Sequence, residues 1–357
     1  MKAHTLFFTA PHQIEIQESD LPALKEDEVL VESICSAVSA GTEMLIYQNR
    51  FPRDLETDSV ISTLRGDFKY PVAYGYACVG RVAEVGKEVN REWLNRLVFS
   101  FEPHTSHFIS KPESLFSIPQ SLSPETACFL PNMETAVNLV QDAAPILGER
   151  VLVLGQGVIG LLTASLLNEF PLDALATSDR YELRRKASLE IGVSDSFDPE
   201  FRDTSKTRSE IKDAKHNKHN EHRENKDQFA YTPEKYDLIF ELSGSLSALD
   251  DAISLTAFSG RIVIGSWYGE KRASIDLGGS FHRSRIKLIS SQVSTIAPEL
   301  SARWDKARRF DVAWKALERI KPEKWITHRF PIEKAEEAYR LLDENPQETI
   351  QILVTYL

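Results

Sequence analysis

A glycine-rich turn between an apolar strand and an apolar helix carries the clearest chemistry in this sequence. Arg150–Leu154 predicts a buried strand, and Val158–Glu169 predicts a helix. The turn has the spacing GxGxxG, written out as Gly155-Gln156-Gly157-Val158-Ile159-Gly160. The first glycine permits a tight bend, the second lets the backbone approach a pyrophosphate, and the third lets the helix pack closely on the strand. Phosphates then lie at the helix N-terminus, where unpaired N–H groups favour negative charge. The motif therefore predicts a dinucleotide-binding site.

An acidic residue follows at the end of the next predicted strand. Asp179 lies 19 residues beyond Gly160 (179 − 160), where a carboxylate can accept hydrogen bonds from the adenosine ribose hydroxyls. Its charge would repel a 2′-phosphate, so we expect NAD to be the cofactor. Arg180 follows directly, and Arg184 and Arg185 are close behind. NADP therefore stays open as an alternative.

Strands and helices alternate around this motif. Apolar strands are predicted at Ala174–Ser178, Tyr236–Glu241 and Arg261–Ile264, and helices at Tyr181–Ile191 and Ser247–Leu255. Fully apolar strands that alternate with helices are typical of a parallel sheet covered on both faces. The middle of the chain is therefore expected to be a doubly wound α/β domain of the Rossmann type.

The segments on either side predict a second, β-rich unit. Strands are predicted at Ala3–Phe8, Ile14–Glu18 and Glu28–Ser33, and residues 71–86 place three glycines in an apolar strand pattern. Glycine allows sharp bends and close backbone approach, so this pattern favours a small curved barrel. Near the end, helices over Arg303–Ile320 and Glu333–Glu344 precede a closing strand over Thr349–Tyr356. We expect a barrel-like catalytic domain over residues 1–122 and 290–357, with the Rossmann domain, residues 123–289, inserted in it.

Composition excludes several classes of function. The 357 residues carry 53 Asp plus Glu against 42 Lys plus Arg, a formal net charge of −11, which would repel nucleic acid and anionic lipid. No apolar run approaches the roughly 18 residues of a membrane span, and no signal peptide is evident. The three dispersed cysteines favour buried thiols in a reducing cytosol. We expect a cytoplasmic protein that binds a small-molecule substrate and neither nucleic acid nor membrane, and a homodimer stays open.

A charged stretch interrupts the Rossmann pattern. Residues 202–228 contain one large apolar side chain, Ile211, among dense mixed charges, so burial cannot offset the entropy of ordering them. We expect a mobile insertion between two strands. His216, His219 and His222 could be imagined as a metal site, but a solvated loop is the interpretation we favour.

Together these features resemble the medium-chain dehydrogenase/reductase superfamily, an alcohol dehydrogenase-like group with a GroES-like barrel domain. Residues 39–43 (Ser-Ala-Gly-Thr-Glu) are similar to the family segment in which a zinc-ligand Cys precedes a Ser/Thr-Asp pair. Residues 75–80 (Gly-Tyr-Ala-Cys-Val-Gly) are similar to its Gly-His-Glu-x-x-Gly, and residues 131–136 to the segment with the third ligand and a Thr near the nicotinamide, here Thr135. The resemblance covers nearly the whole chain apart from the charged insertion. It implies hydride transfer between a nicotinamide dinucleotide and a small organic substrate.

The zinc positions depart from the family pattern. They carry Ala40, Tyr76 and Pro131, of which two offer no donor side chain, and a neutral Tyr is a poor zinc ligand. The four-cysteine structural lobe is absent too, since residues 88–119 contain no Cys. We therefore expect a zinc-independent branch that holds no metal. The Ser-Ala-Gly-Thr-Glu stretch is also similar, locally, to the Ser-Thr-Gly-Thr-Glu of 3-hydroxyethyl bacteriochlorophyllide dehydrogenases, which concerns the subfamily and assigns no substrate.

Without zinc, hydrogen-bond donors must stabilise the oxygen that gains negative charge and must supply its proton. Thr42 matches the family hydroxyl that relays the alcohol proton, and Tyr76 could donate from its phenol. Glu43 matches the acid behind the zinc ligands and would orient Thr42 or a neighbouring cation. His104 is a further catalytic candidate. The alternatives are structural: Thr42 could cap a turn, and Tyr76 could simply fill the volume that zinc vacates.

The carboxyl end of the sheet supplies further candidates. Ser266, Trp267 and Tyr268 follow a predicted strand there and should flank the nicotinamide. Predicted substrate- or anion-binding residues are Glu134, His282 and Arg283, the last two in a dense cluster of cationic side chains. An interdomain salt-bridge cluster explains the cationic pair equally well.

The function these residues favour is an NAD(H)-dependent, zinc-independent oxidoreductase that interconverts an alcohol and a carbonyl. An NADPH-dependent enone or quinone reductase is the alternative among enzymes, although the charge of Asp179 speaks against it. A protein that binds nucleotide without turnover is the alternative outside enzymes. Tight NADH binding without turnover across a panel of carbonyls and alcohols would support that last alternative.

Overall fold

The computed structural model describes residues 1–52, 69–201 and 235–356. Within these ranges the chain forms one parallel sheet flanked by helices, and two largely antiparallel sheets beside it. The expected mobile insertion at 202–228, with its three histidines, lies outside the described residues.

The N-terminal part of the described chain is rich in strands and contains one short helix. These elements are β1 (Lys2–Ala10), β2 (Gln13–Asp20), β3 (Val29–Ala37), α1 (Glu43–Tyr47), β4 (Val72–Ala73), β5 (Cys78–Val85), β6 (Leu97–Ser100), β7 (His107–Ser110) and β8 (Phe116–Ser117). β1 pairs with β2 and β4, and β3 pairs with both β5 and β7. A Cβ on Gly80 would lie 2.5 Å from Val31 Cγ1 and 2.6 Å from the Glu32 carbonyl oxygen. The close backbone approach expected from the glycine pattern is therefore present where β5 crosses β3.

The middle of the chain carries the parallel sheet and its helices. These elements are α2 (Pro124–Ala127), α3 (Leu130–Ala143), β9 (Arg150–Leu154), α4 (Val158–Leu167), β10 (Ala174–Ser178), α5 (Glu182–Ile191), β11 (Asp195–Phe197), β12 (Tyr236–Glu241), α6 (Leu246–Leu255), β13 (Thr256–Ile264) and β14 (Lys287–Ser290). The strand order is β11-β10-β9-β12-β13-β14, and each neighbouring pair is parallel. The order reverses between β9 and β12, which creates the crevice where doubly wound sheets bind nucleotides.

The C-terminal part contains α7 (Lys306–Ile320), β15 (Ile326–Pro331), α8 (Ala335–Glu344) and β16 (Gln351–Thr355). β16 pairs with β3, so the end of the chain returns to the barrel, as expected. However, α7 packs against α3 and α4, beside the parallel sheet. It buries Phe310, Ala313 and Leu317 there, and their spacing places these apolar side chains as a stripe along one face of the helix. The chain therefore returns to the barrel at Ile326, later than the boundary expected at residue 290.

The fold class is confirmed: the chain is α/β, with a parallel Rossmann-type sheet and a separate β-rich part. In the parallel sheet, two short strands, β11 and β14, are not among those predicted. They are the edge strands of the parallel sheet, and their three and four residues give too little apolar pattern to recognise.

Candidate active site

The glycine-rich turn joins β9 to α4 at the carboxyl edge of the parallel sheet. Gly155 has a φ of +89°, and a Cβ there would lie 2.5 Å from Ser243 Cα. A Cβ on Gly160 would lie 1.9 Å from the Gly155 carbonyl oxygen, so α4 can pack this closely only with glycine. Around Gly157, by contrast, no described atom lies within 4 Å of the Cβ position. Gly157 is the N-cap of α4, and the described residues leave its Cβ position open at this helix N-terminus, where a helix can receive a phosphate.

Asp179 stands at the end of β10, beside this turn. It is buried, and its two carboxylate oxygens accept the backbone N–H groups of Gln156 at 2.7 Å and Tyr181 at 2.8 Å. A carboxylate has about four lone-pair sites, so acceptor capacity remains for ribose hydroxyls. The predicted acid therefore lies where it can join the glycine-rich turn to a bound adenosine.

The side chains near Asp179 differ in whether their polar groups can contact a ligand. The Gln156 side chain is buried and fully occupied: its amide donates to the Val153 and Gly155 carbonyls and accepts from Ser188. Gln156 thus shapes the turn and presents no side-chain group to a ligand. Arg180 is exposed beside Asp179.

The next two arginines are held by the protein. Arg184 donates to the Thr349 and Pro346 carbonyls at 3.1 and 3.2 Å, and Arg185 pairs with Asp198 at 3.0 Å. Arg180 is therefore the arginine of this group best placed to meet an anion in solvent.

Glu241, the last residue of β12, organises the neighbouring loops at the same edge. It is fully buried, and it accepts the Ser243 N–H at 2.9 Å and the Tyr268 hydroxyl at 2.5 Å. Burial, together with this carboxylate, raises the pKa of Tyr268 far above its usual range. Ser266 accepts the Gly244 N–H at 2.9 Å. Ser266 and Tyr268 therefore tie together the loops after β12 and β13.

Trp267 lies between these two residues and remains 41% exposed. Its ring packs edge-on against Phe51, with 5.0 Å between centroids. A Cβ on Gly269 would lie 2.7 Å from the Arg50 carbonyl oxygen. The loop after β13 therefore touches the segment that follows α1, and this contact brings the β-rich part up to the carboxyl edge of the parallel sheet.

Three hydroxyl groups cluster beside α1. The Tyr76 hydroxyl donates to Ser39 Oγ at 2.5 Å and lies 3.5 Å from Thr42 Oγ1. All three side chains are half-buried, so each keeps some solvent exposure. The structure therefore brings together Thr42 and Tyr76, which were predicted separately, and adds Ser39. Ser39 lies in the same segment as Thr42, residues 39–43, but nothing in the sequence spacing indicates that Ser39 is a partner of Tyr76.

Behind the hydroxyl cluster lies a buried polar network centred on Glu43 and His104. Both side chains are fully buried, and His104 Nε2 lies 3.0 Å from Glu43 Oε2. Glu43 also accepts the Ser39 N–H at 2.8 Å and the hydroxyl of Tyr339. On the far side, His104 Nδ1 lies 2.6 Å from Ser36 Oγ. Glu43 and His104 are thus too deep to touch a substrate, and they hold the backbone that carries the hydroxyls.

The residues at the three zinc positions do not fit a zinc ion. Ala40 is exposed, Pro131 is buried in the first turn of α3, and neither has a side-chain donor atom. Tyr76 is hydrogen-bonded to Ser39. Across residues 1–52, 69–201 and 235–356, no three His, Cys, Asp or Glu side chains converge as a metal site would require.

Glu134 and Thr135 lie on α3. Glu134 is buried, and its Oε1 accepts from Arg309 Nη2 at 2.7 Å, so its carboxylate serves an internal ion pair and does not line the cleft. Burial raises the pKa of Glu134, and Arg309 opposes that shift. The Thr135 hydroxyl donates to the Pro131 carbonyl at 2.9 Å, and the side chain is half-buried.

His282 and Arg283 lie elsewhere than expected. Both are exposed, and they directly precede β14, which starts at Lys287. The Ser284 carbonyl accepts the N–H of Ser259, near the start of β13. Because β13 and β14 are parallel, this segment belongs to the amino edge of the sheet, opposite the glycine-rich turn. The density of charge in the sequence could not reveal which edge it occupies.

No protein-family model matches the chain. The chain is 22% identical to D-guloside 3-dehydrogenase of Escherichia coli strain K12 over 366 residues, which span 98% of this chain and 99% of the relative. A short chain alcohol dehydrogenase (rspB) from Escherichia coli CFT073, solved in complex with the cofactor NADH, matches with a TM-score of 0.73 at 18% identity, covering 99% of each chain. The 2R,3R-butanediol dehydrogenase of Bacillus subtilis matches with a TM-score of 0.75, also at 18% identity and 99% of each chain.

The matches span whole chains on both sides, so the two-part architecture is shared throughout. In the described part of the chain, no helix is long and apolar enough to cross a membrane. The zinc-free branch and the local similarity to bacteriochlorophyllide dehydrogenases stay predictions. Over its whole length the chain is thus similar to a protein named as a dehydrogenase, and it shares the fold of these dehydrogenase structures.

Proposed function

We propose that this protein is an NAD(H)-dependent oxidoreductase that interconverts an alcohol and a carbonyl on a small organic substrate without zinc. The whole-length relationship to a protein named as a dehydrogenase, and the fold shared with a structure that holds NADH, support the cofactor and the reaction class. The open glycine-rich turn at Gly157 supports nucleotide binding at this edge of the sheet.

The observation that carries the zinc-free part is the hydroxyl cluster of Ser39, Thr42 and Tyr76. Tyr76 stands at a position where the resembling family has a zinc ligand, and Ala40 stands at another. In place of an ion, the site offers three hydroxyl groups joined by contacts of 2.5 and 3.5 Å. Hydroxyl donors aimed at a developing oxyanion can replace a Lewis acid.

A dinucleotide held by the turn at Gly157 and by Asp179 would supply the hydride or accept it from the substrate. In the reducing direction, the Tyr76 hydroxyl turns from Ser39 to donate to the carbonyl oxygen, and Thr42 supplies the second donor. The proton passes from Tyr76 to the alkoxide, and the tyrosinate that results takes a proton from solvent through the half-buried Ser39 hydroxyl, its neighbour at 2.5 Å in the resting site. Glu43 and His104 keep the Ser39 backbone in place throughout.

Asp179 selects NAD over NADP in this proposal. It is buried beside the turn, and a 2′-phosphate would bring a second negative charge against it. Arg180 lies at the surface next to it, and its positive charge favours the phosphate.

The test begins with turnover of NAD+ at 340 nm across a panel of secondary alcohols, polyols and their carbonyls. With an active substrate, Tyr76→Phe should lower kcat by ~10²–10³, because it removes a transition-state donor while keeping the ring. Tyr47→Phe is the matched control: it removes a phenol at the far end of α1 and should leave kcat unchanged. The zinc-free part requires well under one zinc per chain and activity that survives chelation. Stoichiometric zinc with chelator-sensitive turnover contradicts it, and tight NADH binding with no turnover contradicts the enzyme itself.

A further inference from the structure

A fully buried arginine joins α7 to two other elements. All five N–H groups of Arg309 are used. Its Nε and Nη2 donate to Glu134 Oε1 at 3.0 and 2.7 Å, and its Nη1 donates to Asn138 Oδ1 at 2.6 Å. The two remaining N–H groups donate to backbone carbonyls, those of Thr295 at 3.0 Å and of Val293. Arg309 therefore links two side chains of α3 to the backbone of residues 293–295.

Those two carbonyls belong to the segment that follows β14. β14 ends at Ser290 and runs parallel to β13, so residues 291–295 leave the sheet at its carboxyl edge. The glycine-rich turn and the loop of Ser266–Tyr268 leave at the same edge. The adenosine acid, Asp179, follows β10 on the other side of β9. A dinucleotide that lies across the turn must therefore extend its nicotinamide half toward β12, β13 and β14.

The start of this segment is fixed to α3 as well. Asn138 donates to Ser291 Oγ at 2.9 Å, and Ser291 Oγ donates to Asp142 Oδ2 at 2.6 Å. Ser291 N–H donates to the Ile264 carbonyl. The segment has no regular secondary structure of its own over residues 291–295, so these bonds to α3 and α7 determine its path.

We propose that Arg309 is a positioning residue for the nicotinamide half of the cofactor: it fixes the backbone of residues 293–295 as one wall of the nicotinamide pocket. The inference rests on the proposed NAD(H) binding. Arg309 is fully buried and bonded to protein atoms, so it touches neither cofactor nor substrate. Arg309 contributes to the affinity for the cofactor through preorganisation, because a pocket wall that is already ordered need not be ordered upon binding.

The experiment compares two ligands by calorimetric titration: NADH, and ADP-ribose, which has the same pyrophosphate and riboses but no nicotinamide. Arg309→Lys keeps a positive charge against Glu134 but offers only three donors. We expect its Kd for NADH to rise about tenfold and its Kd for ADP-ribose to stay within about twofold of wild type. If both affinities fall in parallel, or if neither changes, the inference is overturned.

Two further variants make the result interpretable. Arg319→Met lies on the same helix and breaks only the exposed ion pair with Glu169, so it should leave both affinities unchanged. If Arg309→Lys does not fold, Arg309→Met combined with Glu134→Gln removes both buried charges together and is titrated in its place, with the same expected split between ligands. A wild type that binds ADP-ribose and not NADH instead refutes the proposed function, so the two failures are distinguishable.

Discussion

Glu102 makes the stability of this protein depend on pH near neutrality. It follows β6 in the loop that leads to His104, and it is half-buried. Burial raises the pKa of its carboxyl from 4.5 to about 7, and no cation contributes to the shift. The perturbation is Glu102→Gln, which keeps the size and polarity of the side chain and removes its titration.

The sign follows from linkage. A folded-state pKa above the unfolded value means that the folded chain binds the proton more tightly. Glu102 therefore contributes its full stability below pH 4.5, and the contribution is lost as the pH rises through about 7. At 1.36 kcal/mol per pH unit, the interval amounts to about 3 kcal/mol of unfolding free energy, as an upper value for a half-buried group. For a chain of 357 residues this corresponds to a Tm difference of about 4 °C.

The assay is thermal unfolding of wild type and Glu102→Gln between pH 5 and pH 8. Both proteins carry every other titrating group, so the effects of those groups cancel in the difference between the two Tm values. The Tm of Glu102→Gln should rise relative to that of wild type as the pH rises, by up to about 4 °C. This difference in Tm should level off above the folded-state pKa of Glu102. Glu84→Gln is the control, since Glu84 is an exposed carboxylate on β5. The difference in Tm between this variant and wild type should be the same at every pH. A constant offset for Glu102→Gln across this range would refute the reasoning.

Two further predictions concern the nucleotide turn. Asp179→Ser should narrow or reverse the preference for NADH over NADPH in fluorescence titrations, because it removes the charge that repels a 2′-phosphate. A wild type that prefers NADPH would contradict the assignment of NAD(H) as the cofactor. Gly160→Ala places a methyl group 1.9 Å from the Gly155 carbonyl oxygen, so NADH binding should be lost and Tm should fall. Gly157→Ala has open space at that position and no positive φ, and it should leave Tm nearly unchanged; equal losses of Tm in both variants would contradict this account.

Local patterns were enough to predict the elements of the proposed nucleotide site. The apolar run over β9, the glycine spacing and the acid after β10 each depend on residues close together in the chain. Their positions follow from the right-handed, parallel connection that such alternation imposes. The barrel also follows from local evidence, since the glycines at 80 and 86 mark close backbone approach.

The candidate active site depends on residues that are distant in sequence. Glu43 meets His104 across 61 residues and Tyr339 across 296, and no periodicity relates them. The one local signal for Arg309 is its place one turn before Ala313, on the apolar stripe of α7. A cation on such a stripe predicts a buried partner, and identifying that partner requires the packing of α3 against α7.

By itself, the sequence determined a Rossmann domain with a GxGxxG turn, inserted in a β-rich domain that lacks donor side chains at two of the three positions where the resembling family has zinc ligands. Only the tertiary structure decided that Ser39 joins Thr42 and Tyr76, that Glu43 and His104 are buried behind them, and that His282 and Arg283 lie at the opposite edge of the sheet. The physical reason is the range of the interactions. Backbone conformation and apolar periodicity act over a few residues and can be seen in the chain, whereas hydrogen bonds between buried polar groups are chosen among all side chains that the fold brings within about 3 Å.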